Sequence, residues 1–169
     1  NIKYFMKRKI LLVILVILVI FGIFAIRAAL AFKKAASITQ QAVGAAKLQD
    51  LDATKAYLRD AKKQFEVAKQ SLVVFTPLRI VPLVGWYIAD AQRGASAAVS
   101  GLNAASTLIE AITPYADVLG LKGQGTFLGG TAQERLAKTI ETLSKVTPEL
   151  DKIGKDLQDA RHQVDQIQT

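Results

Sequence analysis

The residues able to do chemistry are few. There is no cysteine, so thiolate catalysis, cysteine metal sites and disulfides are excluded. The one histidine, His162, stands near the end of the chain among Lys155, Asp159, Arg161 and Asp165, where a solvated side chain is expected. General acid–base work needs two carboxylates in a sheltered cleft. Asp50 and Asp52 instead flank a turn, and Asp151, Asp156, Asp159 and Asp165 fall off the apolar period of their segment. No cluster of His, Asp and Glu has metal-ligand spacing. Gly120, Gly123, Gly125, Gly129 and Gly130 crowd one stretch, but a phosphate-cradling loop needs Gly, four residues and Gly-Lys-Ser/Thr between a strand and a helix, and neither is present. Asp90 and Asp117 sit beside apolar residues, where burial could perturb them; structural capping is the expected role of both. The residues therefore point away from an enzyme and call for no cofactor or metal.

The formal charge of +8 resolves into topology once it is divided along the chain. Lys3, Lys7, Arg8, Lys9 and Arg27 flank one apolar run, and the 17 basic residues beyond them are nearly balanced by 14 acidic ones. They form no stripe of the kind that displaces counterions from phosphates, so no nucleic-acid partner is expected. Ile10–Ile26 carries no charge, and at 1.5 Å per residue it spans about 26 Å, close to the hydrocarbon thickness of a bilayer. Ala29-Leu30-Ala31 offers a small-x-small cleavage pattern, yet the run is longer than the core of a secretory signal and Arg27 interrupts the approach, so an uncleaved anchor is expected. Four basic residues before the run against three soon after it, Arg27, Lys33 and Lys34, favour a cytoplasmic N-terminus by a narrow margin, with the bulk of the chain extracytoplasmic. The chain begins at Asn1 rather than Met and is expected to be part of a longer one.

The elements beyond the anchor follow from period. Ala31, Ala35, Ile38, Ala42 and Ala45 recur at helical spacing, which carries the anchor helix on to about Lys47. A turn over Leu48–Asp52 follows, with Asp50 or Asp52 as the next N-cap. Leu51, Leu58, Phe65 and Leu72 repeat every seven residues, with Thr54, Ala61, Ala68 and Phe75 three positions later. Ile88, Ala95, Leu102 and Ile109, with Ala91, Ala98, Ala105 and Ile112, repeat the pattern in a third helix that Thr113-Pro114 ends. Large rows paired with alanine rows predict an antiparallel hairpin of the two. A fourth register, Leu136, Thr139, Leu143, Val146, Leu150, Ile153, Leu157, Ala160, Val164 and Ile167, crosses Thr147-Pro148 without a loop and predicts one long kinked helix. Thr131 with Glu134 reads as its capping box. The expected architecture is all-α: a single N-terminal transmembrane helix continuing into an antiparallel, alanine-rich helical bundle, with residues 1–27 as cytoplasmic stub and anchor and 28–169 as the extracytoplasmic bundle.

Two segments escape the period. Val73–Trp86 holds Pro77, Pro82 and Gly85 and is apolar apart from Thr76 and Arg79. A helix that climbs from the bilayer and one that descends again would return this loop to the membrane surface, with Trp86 and Tyr87 at headgroup level and Arg79 on lipid phosphate. Alternatively Leu78, Ile80, Leu83 and Trp86 plug the end of the bundle as core. Tyr115–Thr131 is expected at the opposite end, where Phe127 and Leu128 cap the bundle or Tyr115, Lys122 and Phe127 meet a partner.

Ile80-Val81-Pro82-Leu83-Val84-Gly85-Trp86-Tyr87, then Pro114-Tyr115-Ala116-Asp117-Val118-Leu119-Gly120 with Gly123, Phe127 and Gly130, then Lys145-Val146-Thr147-Pro148 and Val164-Asp165-Gln166-Ile167 resemble a bacterial envelope family, the domain-of-unknown-function family numbered 4012, above all its candidate-phylum members. The resemblance implies a membrane-anchored envelope protein with a cytoplasmic N-terminus, whose helical part precedes a larger extracytoplasmic domain. It supplies no catalytic residue. The expected function is that of a non-catalytic helical stalk or scaffold in the bacterial cell envelope, its partners the lipid bilayer and a protein or a second copy of the chain. An accessory subunit of a larger membrane complex, or a sensory bundle taking a small molecule between helices at Ala95, Ala98 and Ala105, are the alternatives.

Overall fold

No proline interrupts the first 47 residues, and one helix carries almost all of them. The computed structural model describes residues 2–116 and 131–167. They form α1 (Ile2–Lys47), α2 (Leu51–Val73), α3 (Val84–Ile112) and α4 (Ala132–Asp165), with short 3-10 turns at Thr76–Ile80 and Thr113–Tyr115. Successive helices pack as antiparallel neighbours, α1 on α2, α2 on α3 and α3 on α4. The all-α expectation holds, with one helix long and apolar enough to cross a membrane.

α1 divides by exposure at Arg27. Ile10 through Ile20 are 44–69% exposed, whereas Ala28, Ala31, Ala35, Ala42 and Ala45 are buried on α2. The helix thus changes from a uniformly apolar rod into an amphipathic one without a break. Leu48 and Asp50 turn the chain by returning their N–H groups to carbonyls of the last turn of α1, and Gln49 takes a left-handed φ of 60°. Of the two candidate caps it is Asp50 that starts α2, its Oδ1 accepting from the Ala53 N–H at 2.9 Å.

The heptads of α2 face inward as expected: Thr54, Leu58, Ala61, Ala68 and Leu72 are buried. Leu58 and Ala61 meet Ala42 and Leu102 in one cluster; Leu72 meets Ala28 and Ala95 in a second, nearer the apolar half of α1. Both clusters draw on three helices, and alanine in each lets the helix axes approach closely. The core is accordingly thin. Burying each leucine contributes roughly 1.5–3 kcal/mol, and the alanines act chiefly through close contact.

α3 departs from expectation in using two faces. Ala95 and Leu102 turn to α2, but Ala89, Asp90, Ala97, Ala104 and Thr107 are buried as well, because α4 packs on the opposite side. Asp90 is no cap. It sits in the second turn of α3, buried, with Oδ1 3.1 Å from Arg93 Nη1. Asp117 lies outside the described residues.

α4 runs unbroken through Pro148, which withholds one N–H from the helix; Thr147 Oγ1 donates to the Leu143 carbonyl at 2.7 Å beside it. The capping box forms, Thr131 Oγ1 accepting from Glu134 N and Glu134 Oε2 accepting from Thr131 N. Only half of the expected register faces the bundle. Val146, Ile153, Ala160 and Ile167 are partly buried, while Leu136, Leu143, Leu150, Leu157 and Val164 stay 48–62% exposed. Arg93 Nη1 donates to the Gln166 carbonyl at 2.7 Å, which fixes the antiparallel register and puts Lys145 opposite Tyr115. The residues before Lys145 therefore overhang the end of α3 by about 20 Å. On that overhang Lys145 is raised above the ordinary lysine pKa, first by its hydrogen bond to Glu141, then by the charge of Glu141 and by Tyr115.

Asp156 turns Oδ2 into the bundle without a hydrogen-bond partner among the described residues. An unsatisfied buried oxygen costs on the order of 1–3 kcal/mol, so Asp156→Ala is expected to stabilise the fold by about 1 kcal/mol after lost helix-surface contacts are allowed for. A thermal melt followed by far-UV circular dichroism checks it; a lower midpoint would mean that this oxygen is solvated.

Candidate functional site

The most distinctive construction among the described residues is the elbow between α2 and α3. α2 ends at Val73 because Pro77 and Pro82 cannot extend it. The Thr76–Ile80 turn then reverses the chain, with Leu78 N–H bonding to the Phe75 carbonyl and Val81 N–H to the Leu78 carbonyl. At Leu83 the backbone takes φ 68°, ψ −56°, and Val84 N–H returns to the Pro82 carbonyl at 2.9 Å. That is a γ-turn of the positive-φ kind, which is rare and strained in an L-residue. Gly85 lets the turn close: it is buried, and a Cβ placed on it would stand 2.2 Å from the Arg79 carbonyl oxygen. Gln92 ties the elbow back to α2, its Nε2 donating to the Leu72 carbonyl at 2.9 Å and to Thr76 Oγ1 at 3.2 Å.

This rigid turn does not plug the bundle. Ile80 is 88% exposed, Leu83 65%, Trp86 55% and Tyr87 67%, with Val73 and Val84 also exposed; of the proposed plug residues only Leu78 is partly covered. Backbone strain and close packing hold a cluster of apolar side chains outward, the reverse of what a core plug would do.

The elbow lies beside the apolar part of α1. Phe75 stacks on Phe21, ring centroids 5.3 Å apart, and higher up Phe32 meets Phe65 edge-on at 5.9 Å. Arg79 does not share the outward face of Trp86. It lines a shallow polar groove with Gln92, Arg93, Ser96, Gln163 and Gln166, where the end of α4 meets α3.

The site residues proposed from sequence thus fall into two groups. Arg79, Trp86 and Tyr87 share the elbow; Tyr115 stands about 40 Å away at the far end of α3, partly buried in the second 3-10 turn. Lys122 and Phe127 lie outside the described residues. Leu83, Gly85 and Gln92, which build the elbow, carry no sequence signal beyond a glycine next to two prolines. His162 is exposed, its Nε2 2.8 Å from Gln166 Nε2. Among the described residues no three His, Asp or Glu come together as a metal site. The charged depression between α2 and α3, bordered by Asp52, Lys55, Arg59, Lys62 and Glu110, is an open surface with one loose ion pair, Lys55–Glu110 at 3.8 Å.

Fold and site together define an all-α protein with, among the described residues, one helix long and apolar enough to cross a membrane and an apolar elbow packed beside it. Comparison with protein-family models, curated proteins and solved structures finds no match.

Proposed function

We propose that the chain is a membrane-anchored, extracytoplasmic, non-catalytic helical scaffold, with α1 crossing the bilayer from a cytoplasmic N-terminus. The observation that carries this reading is the continuity of α1, whose exposed apolar half and buried alanine half are one helix. Cleavage after Ala31, as in a signal sequence, would remove Ala28 and Ala31 from the bundle and Phe21 from its stack on Phe75. Lys7, Arg8 and Lys9 before the run supply the positive-inside signal. The resemblance to the envelope family numbered 4012 agrees with this topology.

The geometry also says what such a scaffold would present. α4 descends beside α3 and brings Gln166 to Arg93, at the elbow end. A domain following α4 would start near the bilayer, so what the bundle lifts away from it is the opposite tip, made by the Leu48–Asp50 turn and the overhang of α4. Ala95 is fully buried in helix contact, which favours a dry seam over a ligand-binding bundle. The exposed leucine row of α4 is the surface on which a protein-contacting role rests.

Topology is tested by expressing the full chain in bacteria with an N-terminal epitope and alkaline phosphatase fused after Thr169. The scaffold reading expects an active phosphatase, a retained epitope and a chain that resists carbonate extraction from membranes. Loss of the epitope would establish a cleaved signal, and an inactive phosphatase the opposite orientation.

A further inference from the structure

Three helices change from charged to uncharged within one band. In α1 the boundary is Arg27, next to Ala28; in α2 it is Lys69, three residues before Leu72; in α3 it is Asp90 and Arg93, just before Ala95. Ala28, Leu72 and Ala95 pack in a single cluster; Lys69 lies three residues to its tip side and Asp90 five residues to the other, so these boundaries fall within one band of about 12 Å. From that band onward, away from the tip, lie Ile10–Ile26 and the twenty residues from Gln70 to Ala89, whose only charge is Arg79. Val84 is eleven residues from Ala95, which places the elbow about 16 Å past the cluster.

We infer that residues 71–89 form a re-entrant wedge that enters the hydrocarbon of the same bilayer that α1 crosses, rather than resting on its surface. The inference deepens the anchored-scaffold reading and depends on it. From Asp90 down to Val84 is six residues, so the uncharged end reaches about 9 Å past the charges of α3, roughly a third of the hydrocarbon thickness, and the wedge stays within one leaflet. Non-helical backbone tolerates that depth only when its polar groups are paired internally. The elbow meets the condition in large part: the N–H groups of Leu78, Val81, Val84 and Gly85 all bond to elbow carbonyls, two prolines have none to satisfy, and Gln92 covers the Leu72 carbonyl. Its outward apolar side chains, Ile80, Val81, Leu83, Val84 and Trp86, are those that lipid tails accept, while exposed Thr76 and Tyr87 add a hydroxyl each. Arg79, its one charged residue, lines the polar groove beside Gln92 and Arg93, at the charge boundary where a lipid phosphate would stand.

Trp86 is the only tryptophan, so the unmodified full chain reports on the wedge directly. The chain is reconstituted in phosphatidylcholine–phosphatidylglycerol vesicles with and without bromine on the acyl chains, and carbonate extraction of the same vesicles reads out the anchor separately. The wedge predicts blue-shifted Trp86 emission, at least two-fold quenching by brominated lipid and little quenching by iodide. Carbonate-resistant chain with red-shifted, iodide-quenched Trp86 would overturn the wedge and leave the anchor standing. Extraction of the chain by carbonate would overturn the anchor and the wedge with it. Blue-shifted emission that brominated lipid does not quench would mean that protein covers the elbow, and would also overturn the wedge.

Discussion

Gly85→Ala is expected to destabilise the protein by about 3 kcal/mol, the upper end of the usual cost of overpacking, because the added methyl has only backbone to meet. A Cβ at this position would stand 2.2 Å from the Arg79 oxygen, 2.7 Å from its carbonyl carbon and 3.0 Å from its Cα, so no rotamer change can relieve the contact. The 3-10 turn must move off α3, which lengthens the two bonds from Gln92 to Leu72 and Thr76. For a chain of this size the melting midpoint falls by roughly 6–12 °C. Leu83→Gly makes the useful contrast. It removes a left-handed penalty of about 1–2 kcal/mol from a side chain that is mostly exposed, against a glycine entropy cost of about 0.5–1 kcal/mol. The midpoint should stay level or rise slightly. Thermal melts of both variants in the same detergent check the pair, and a Gly85→Ala protein that melts like the parent would show that the turn does not close on α3.

The two variants also mark where sequence reading stops. Helix existence was legible because period reports one-sided burial: Ala31, Ala35, Ala42 and Ala45 are spaced for a face, and they are buried as a face; α3, however, starts at Val84, inside the Val73–Trp86 stretch that shows no period. Asp50 and Thr131 were legible because capping is decided within four residues. What period cannot show is how many partners a helix has. On α3 a second buried row, Ala97, Ala104 and Thr107, was hidden because alanine and threonine carry little apolar contrast. On α4 the reverse held. Leu136, Leu143, Leu150, Leu157 and Val164 spell a heptad row as strong as that of α2, yet α3 offers one face to α4 and the row beside Val146, Ile153 and Ala160 takes it. The elbow was visible only as a break in period. Its γ-turn depends on the Leu83 dihedrals and its closure on Gln92, twenty residues from Leu72. The charge boundaries were in the sequence throughout, but they become one band only when Phe21–Phe75 and Ala28–Leu72–Ala95 set the register of three helices.

That register makes the small rows the most sensitive part of the bundle, and Ala61→Leu should show it with a loss of about 3 kcal/mol. Ala61 is fully buried in the cluster of Ala42, Leu58 and Leu102, with Phe65 and Ile109 packed around it. Three added carbon atoms cannot enter an interface already closed by methyl-to-backbone contact without separating the helices, and separation forfeits dispersion along the whole seam rather than at one site. In this protein the usual gain from a larger apolar side chain therefore changes sign. Leu150→Glu provides the control: this larger change in polarity falls on a leucine 48% exposed, and its effect should stay within about 0.5 kcal/mol. Denaturant titrations of both variants, read by far-UV circular dichroism, separate the two outcomes. If instead Leu150→Glu proves the more damaging, the leucine row of α4 is covered in the folded protein, and the seam that holds the bundle together includes a face that this chain alone leaves open.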